Sequence, residues 1–208
     1  MRLTIVGTGN MARGVGTRAL AGGHRVAFVG TYISKADELV EELMGLGEVE
    51  SAEVVDGEIV VLAVPFTEAP HVVRQHAGEL DGCVLVDLTN PVDISVLEPL
   101  DVAPFRSGAE LIAEEAPDTV SVVKAFNTTF PGPLVAGEVA GQPLDVLIAG
   151  DDDDAKRTVS QFARDGGLRP IDAGTLARAR ELEALGYLHM AVQASLGTDF
   201  ASAVKFLP

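Results

Sequence analysis

The sequence predicts an α/β protein built on a doubly wound parallel sheet, with a small C-terminal α/β extension that ends in a long helix. Short apolar runs rich in β-branched residues alternate with segments of helical pattern. A glycine-rich turn directly follows the first apolar run. The 208 residues suffice for one nucleotide-binding-sized unit and a modest extension, but not for two large domains.

Seven apolar runs are the predicted strands. Continuous apolar runs without a polar face are typical of parallel strands that are covered by helices on both sides. The runs occupy residues 3–6, 26–29, 59–64, 84–86, 120–123, 146–149 and 168–171. The single cysteine, Cys83, adjoins the fourth run, so we expect a buried thiol and no internal disulfide.

Four segments between and after these runs have helical patterns. They are residues 10–20, which end before Gly22 and Gly23; 34–43, which open with Ser34; 152–164; and 175–195. In the last segment Ala179, Leu182, Leu185 and Leu188 recur at helical spacing, so we expect one face to pack against the sheet domain or against another subunit.

The change of pattern near residue 151 divides the chain into a predicted nucleotide-binding domain, 1–150, and a small C-terminal domain, 151–208, that completes the substrate cleft. The four aspartates at 151–154 are expected to cap the helix that follows, because carboxylates are favoured at a helix N-terminus. No histidine or cysteine accompanies them, so we expect no metal site.

The charge balance disfavours two classes of partner. The chain has 15 lysines and arginines against 31 aspartates and glutamates, a net charge of −16. A surface this negative repels nucleic-acid phosphates and anionic lipid. No basic N-terminal region precedes an apolar segment, and no apolar run reaches membrane-spanning length. We therefore expect a cytoplasmic protein with a small-molecule partner.

The turn after the first strand fits the dinucleotide-binding pattern G-x-G-x-x-A. Its residues are Gly7, Thr8, Gly9, Asn10, Met11 and Ala12. The first glycine permits a tight turn, the second lets the backbone approach a pyrophosphate, and the alanine lets helix and strand pack closely. Amide groups at the helix start would then bind phosphate. The context of strand, turn and helix makes a Rossmann-type fold the prediction.

The end of the second strand favours NADP over NAD. NAD-preferring folds place an acidic residue here to bind the ribose 2′-hydroxyl, whereas this chain has Gly30, Thr31 and Tyr32. Thr31 and Lys35 could instead contact a 2′-phosphate.

Neutral groups and apolar surface follow the other strands, where ligands of open α/β sheets bind. Val64, Pro65, Thr89 and Asn90 are expected to border the nicotinamide ribose, and Asn127 to orient a hydride acceptor. None of the four histidines falls at a strand's carboxyl end. We therefore predict no catalytic acid or base, as suits direct hydride transfer between two oriented rings.

Several segments resemble the coenzyme F420-dependent NADP reductase family, whose members move hydride between NADPH and an 8-hydroxy-5-deazaflavin. The matching segments are residues 5–11, 64–65, 149–153, 167–174, 179–183 and 205–207. The resemblance implies an NADP-binding Rossmann domain, a small C-terminal domain, F420 as co-substrate and a homodimer. The cytoplasmic reductase domains of six-transmembrane metalloreductases look similar.

The resemblance also assigns residues to the acceptor. Arg180 matches the family's arginine near the cofactor end of the last helix, although a salt bridge to Glu183 or another carboxylate is an alternative role. Thr128 and Leu207 complete the predicted substrate-binding set with Asn127 and Arg180. The chain departs from the family at Tyr32, where an arginine commonly binds the 2′-phosphate.

Two other functions remain open. One is an NADPH-dependent reductase of another acceptor, such as a flavin, a quinone or a small carbonyl compound. The other is a non-catalytic module that senses NADP, which the lack of acid–base groups in the predicted cleft would also permit.

Overall fold

The computed structural model describes residues 1–100, 102 and 105–207. Its strands are β1 (Arg2–Val6), β2 (Arg25–Val29), β3 (Val49–Ser51), β4 (Ile59–Leu62), β5 (Val84–Asp87), β6 (Val92–Asp93), β7 (Glu98–Pro99), β8 (Ser121–Lys124), β9 (Glu138–Val139), β10 (Gln142–Pro143), β11 (Asp145–Gly150) and β12 (Arg169–Gly174). Its helices are α1 (Asn10–Ala21), α2 (Ile33–Leu43), α3 (Ala69–Gln75), α4 (Gly108–Glu115), α5 (Pro131–Ala136), α6 (Asp153–Asp165), α7 (Ala179–Ala191) and α8 (Gln193–Leu196), with a 3₁₀ turn at Leu176–Arg178.

Eight strands form the central sheet in the order β12-β11-β8-β5-β4-β1-β2-β3. The pairings are parallel except that β11 runs antiparallel to β8. From β1 the chain first builds outward through β2 and β3, then returns to add β4, β5 and β8 on the other side. The strand order therefore reverses between β1 and β4, which is where ligands bind in open α/β sheets. The predicted Rossmann-type fold is confirmed.

Both faces of the sheet are buried, as the apolar strands predicted. In β4, Ile59 and Val61 belong to one apolar cluster with α1, α2 and α6. Val60 and Leu62 belong to a second cluster with α3 and α4. Alternate residues of a strand point to opposite faces, so a strand between two helix layers has to be apolar throughout.

Some element boundaries differ from the predictions for identifiable reasons. The predicted strand at 59–64 ends at Leu62. The predicted strand at 120–123 extends to Lys124, which the prediction omits because a charged residue does not fit the apolar pattern by which buried strands are recognised. Helix α2 begins at Ile33 after Tyr32 and has no side-chain cap, so the expected start at Ser34 is wrong. Strand β3, helices α4 and α5, and the two small hairpin sheets were not predicted, because they are short.

The C-terminal segment extends the sheet. Strand β12 pairs with β11 across the predicted boundary at residue 150, so the two predicted segments share one continuous sheet. The predicted long helix at 175–195 consists of the 3₁₀ turn, α7 and α8. Of the four aspartates expected to cap this helix, Asp152 does so by accepting hydrogen bonds from the backbone N–H groups of Asp154 and Ala155. Asp151 instead accepts from the N–H of Leu176.

Two further expectations can be compared with the structure. Cys83 is buried, and burial raises the pKa of its thiol to about 11, which keeps it protonated and unreactive. Across the described residues, the helices are too short or too polar to cross a membrane.

Candidate cofactor site

The first glycine of the turn after β1 occupies a backbone position that other residues would strain. Gly7 has a φ of +126°, and its N–H donates to the carbonyl of Val29 at 2.8 Å. A β-carbon added to Gly7 would lie 2.2 Å from the carbonyl oxygen of Ala63. The turn therefore packs directly against the chain that leaves β4, at the point where the strand order reverses.

The second glycine leaves open space in front of α1. An added β-carbon at Gly9 would meet no atom within 4 Å. Gly9 is the N-cap residue of α1 and makes no side-chain capping bond, so it leaves first-turn N–H groups without a side-chain acceptor. Ala12 is fully buried beneath them. A phosphate group could occupy this space and accept hydrogen bonds from the amides, where the positive end of the helix dipole favours its charge. The turn therefore fits the pyrophosphate of a dinucleotide.

The loop after β2 lies beside this turn. A β-carbon at Gly30 would lie 2.8 Å from the side chain of Thr8. Tyr32 is 71% exposed, and the Lys35 ammonium pairs with Glu38 at 2.8 Å on the same exposed helix face. An exposed pair of this kind contributes little stability, so Lys35 could exchange Glu38 for a phosphate at small cost.

The residues after β4 and β5 form the next part of this edge. Val64 is partly buried and Pro65 is exposed. Thr89 is buried, and its hydroxyl oxygen has no hydrogen-bond partner among the described residues. A buried hydroxyl without a partner is unfavourable, and protein atoms cover this one, so the ligand contact predicted for Thr89 requires its neighbours to move.

The predicted acceptor residues are not grouped at one open surface. The side-chain amide of Asn127 is buried and donates to the Asn90 side-chain oxygen and to the Leu182 carbonyl, both at 2.9 Å. Thr128 is buried, and its carbonyl accepts a hydrogen bond from His189. Leu207 is 69% exposed.

Arg180 makes an ion pair, but not with Glu183. Its guanidinium donates to both carboxylate oxygens of Glu110 on α4, at 2.9 and 2.5 Å. Together with hydrogen bonds from Ser107, these contacts lower the pKa of Glu110 to about 2. The alternative salt-bridge role for Arg180 is therefore present in the structure, with Glu110 as its carboxylate.

Sequence reasoning missed a cluster of three charged side chains at the same edge. Lys124, at the end of β8, is completely buried and binds Asp87 and Glu183, each at 2.8 Å. Burial alone would lower the pKa of Lys124, but the two carboxylates raise it above its usual value. One signal was available: Asp87 and Lys124 each directly follow an apolar run, and the runs are neighbouring strands.

A separate cavity of about 530 Å³ lies away from the glycine turn, beside the start of β8. Its lining includes Ser121 and the four aspartates at 151–154. An acidic lining repels phosphate, so this cavity does not compete with the glycine turn as a dinucleotide site.

Comparisons with known proteins agree with this geometry. Residues 2–91 match the family described as NADP oxidoreductase, coenzyme F420-dependent. The chain is 26% identical to an F420-dependent NADP reductase of Methanocaldococcus jannaschii over 89% of both chains. A solved structure from Arthrobacter sp. FB24, a candidate F420-dependent NADP reductase, superposes with a TM-score of 0.83 at 27% identity and covers 99% of both chains.

A different relative has higher identity over part of its length. The chain is 36% identical to Metalloreductase STEAP3 of Rattus norvegicus over 88% of this chain, but it spans only 36% of that protein. The comparisons confirm the predicted resemblance and, for the family and its named relatives, the enzyme class of NADP-dependent oxidoreductase. NADP and coenzyme F420 are the two cofactors that the family description names.

The Glu110–Arg180 pair predicts a pH-dependent contribution to stability. Because the pKa of Glu110 falls from 4.5 to about 2 on folding, its stabilisation is complete above pH 4.5 and is lost as the pH falls toward 2. Arg180→Gln should raise the pKa of Glu110 and reduce the free energy of unfolding more at pH 7 than at pH 3. Carbon NMR of the carboxyl group and urea denaturation measure these effects.

Arg178→Gln is the matched control, because Arg178, in the 3₁₀ turn just before α7, makes an exposed ion pair with Glu181. It should leave the pKa of Glu110 unchanged. A Glu110 pKa that stays near 2 in the Arg180 variant would contradict the assigned cause.

Proposed function

From the family match over residues 2–91, we infer that this chain is an NADP-dependent oxidoreductase that transfers a hydride directly between NADPH and coenzyme F420. The observation that carries the proposal is the Gly7–Gly9 turn at the reversal of strand order, which leaves the N-terminus of α1 uncapped beside open space. Relatives of similar length that bear this activity in their names support the choice of acceptor.

The chain's own residues bind and orient in this proposal. The N–H groups at the start of α1, with Thr8 and Asn10 to Ala12, hold the pyrophosphate. Thr31, Tyr32 and Lys35 contact the adenosine end with its 2′-phosphate. Bound NADPH supplies the hydride that the deazaflavin ring accepts.

The nicotinamide half lies along the edge formed by Val64, Pro65, Thr89 and Asn90. The hydroxyl of Thr89 is buried and has no partner within the described part of the chain, so a ribose hydroxyl would pair with it once binding uncovers this group. The charged groups of Asp87, Lys124 and Glu183 are bound to one another. Val64, Pro65, Thr89 and Asn90 therefore hold the reacting rings, and the proton that the reduced deazaflavin gains with the hydride comes from solvent.

A second candidate is reduction of another acceptor by NADPH. The identity of 36% to a metalloreductase supports it. The contacts of Asn127 and Arg180 also support it, because both side chains assigned to the acceptor are engaged within the chain. A flavin, a quinone and a small carbonyl compound are the acceptors to compare with F420.

A cytoplasmic location stays a prediction.

The proposed reaction has a direct test. Purified protein mixed with NADPH and oxidised F420 should bleach the visible absorbance of the deazaflavin. Gly9→Ala should raise the Kd for NADPH at least tenfold, because its methyl group occupies the space in front of the α1 amides, and slow the bleaching at limiting NADPH. Its thermal midpoint should not change, since the added carbon meets no protein atom within 4 Å.

Gly78→Ala is the control, since an added β-carbon there also meets nothing within 4 Å. NADPH binding and oxidation with another acceptor, but not with F420, would support the second candidate. Binding without oxidation by any acceptor would indicate an NADP-sensing module. Absence of NADPH binding would overturn the proposal.

The proposed cofactor preference rests on Lys35. Lys35→Ala should weaken NADPH binding roughly tenfold, because a hydrogen bond to a charged group is worth about 1.5 kcal/mol or more. NADH lacks the 2′-phosphate, so its Kd should change little. Arg25→Gln, which removes an exposed charge at the other end of β2, is the control. Tighter binding of NADH than of NADPH by the wild type would refute the preference.

A homodimer is also part of the proposal. The predicted apolar stripe of α7 divides: Ala179 and Leu182 are buried, whereas Leu188 is 57% exposed, and Leu196 on α8 is 54% exposed. We expect light scattering to give twice the chain mass of 21.7 kDa, and Leu196→Glu to give a monomer. Met44→Glu, at an exposed site after α2, should remain dimeric. A monomeric wild type would exclude the dimer.

A further inference from the structure

Lys124 uses all three of its N–H donors inside the protein. Its ammonium group donates to the Asp87 carboxylate at 2.8 Å, to the Glu183 carboxylate at 2.8 Å and to the Thr89 carbonyl at 2.5 Å. The side chain is fully buried, and none of these bonds competes with solvent. Such charge-assisted bonds are directional and strong in a low-dielectric interior.

Two of these bonds fix the backbone on both sides of Thr89. The Thr89 N–H donates to one oxygen of Asp87 at 2.8 Å, and the other oxygen of Asp87 accepts from Lys124. The Thr89 carbonyl accepts from Lys124 as well. The backbone of Thr89 is therefore held at its nitrogen and its oxygen, while its hydroxyl is left without a partner among the described residues.

The third bond connects this strand end to two helices. Glu183 lies on α7, and its carboxylate also accepts from the N–H groups of Gly108 and Ala109, at 2.9 and 3.1 Å, at the start of α4. Helix α7 touches the same edge one turn later, where a β-carbon on Gly186 would lie 2.8 Å from the Asn90 side-chain oxygen. Glu183 thus acts with the Arg180–Glu110 pair and the Asn127–Leu182 hydrogen bond to hold α7 beside Asn90.

Stability alone is a weak explanation for this cluster. One ammonium and two carboxylates leave a buried net charge of −1, which the positive end of the α4 dipole offsets only in part. Replacing a buried ion pair with well-packed apolar residues is often neutral or stabilising. Apolar residues would not supply the directional hydrogen bonds that orient the Thr89 backbone and helix α7.

We propose that Lys124 is a positioning residue for the nicotinamide half of the cofactor cleft, which it orders by joining the strand end at Thr89 to helix α7. The inference rests on the proposed function, because it takes NADPH as the ligand. It assigns Lys124 no contact with the reacting atoms. The adenosine half is assigned to Thr31, Tyr32 and Lys35, which among the described residues share no hydrogen bond with Lys124. The two halves of the ligand should therefore respond differently.

The test compares two ligands that share one half. NADPH occupies the whole cleft, whereas adenosine 2′,5′-bisphosphate lacks the nicotinamide half. Calorimetry should show that Lys124→Met weakens NADPH binding at least tenfold and changes the Kd of the bisphosphate less than twofold. Lys156→Met is the matched control: Lys156 is also largely buried and paired with two aspartates, on α6 and β12, and should change neither Kd.

Two milder variants keep the test valid if Lys124→Met does not fold. Asp87→Asn and Glu183→Gln retain side-chain oxygens that can accept from Thr89 and from the start of α4, but each removes one charge that holds Lys124. Each should weaken NADPH binding more than bisphosphate binding. Where the wild type turns over, kcat should fall in the same variants at saturating NADPH.

The outcomes separate the inference from the proposed function. If the wild type binds NADPH and the folded variants weaken both ligands equally or neither, the positioning role is overturned and the proposed function stands. If the wild type binds NADPH but reduces no acceptor, the ratio of the two Kd values still tests Lys124. If the wild type does not bind NADPH, both are overturned.

Discussion

The main constraint on this molecule is that its sheet is covered by helices on both faces. Alternate residues of β4 enter two different apolar clusters, so neither face can hold a polar ligand. Binding is thereby confined to the edge where the strands end. The strand order reverses between β1 and β4, and open space lies beside Gly9 at this point.

Two kinds of polar group meet at this edge. Around Gly9 the polar groups are backbone amides at the start of a helix, free of side-chain caps. Around Lys124 they are charged side chains that satisfy one another. The amides around Gly9 remain able to bind an anion. The charged groups around Lys124 are all used in bonds that hold strands and helices together. In the proposed function, this division lets a protein with a net charge of −16 bind phosphate.

Helix α7 connects the two predicted domains to this edge. Its N-terminal half contacts α4 through Arg180 and Glu183, and Gly186 allows its close approach to Asn90. In the C-terminal half Leu188 is exposed instead, as is Leu196 on α8. One apolar stripe, recognised in the sequence as a single face, therefore divides into a part that packs within the chain and a part that remains open to another surface.

The sequence by itself determined the fold class and the glycine turn, because both depend on local patterns: apolar runs of strand length, and glycines at fixed spacing after the first of them. It also located Thr89 and Asn90 just after a strand, since strand ends can be read along the chain. Only the tertiary structure decided the partners of Arg180 and Lys124. Arg180 binds Glu110, 70 residues away, and Lys124 joins Asp87 to Glu183, 37 and 59 residues away. Ion pairs over such separations follow from how strands and helices pack, and no local sequence pattern encodes them.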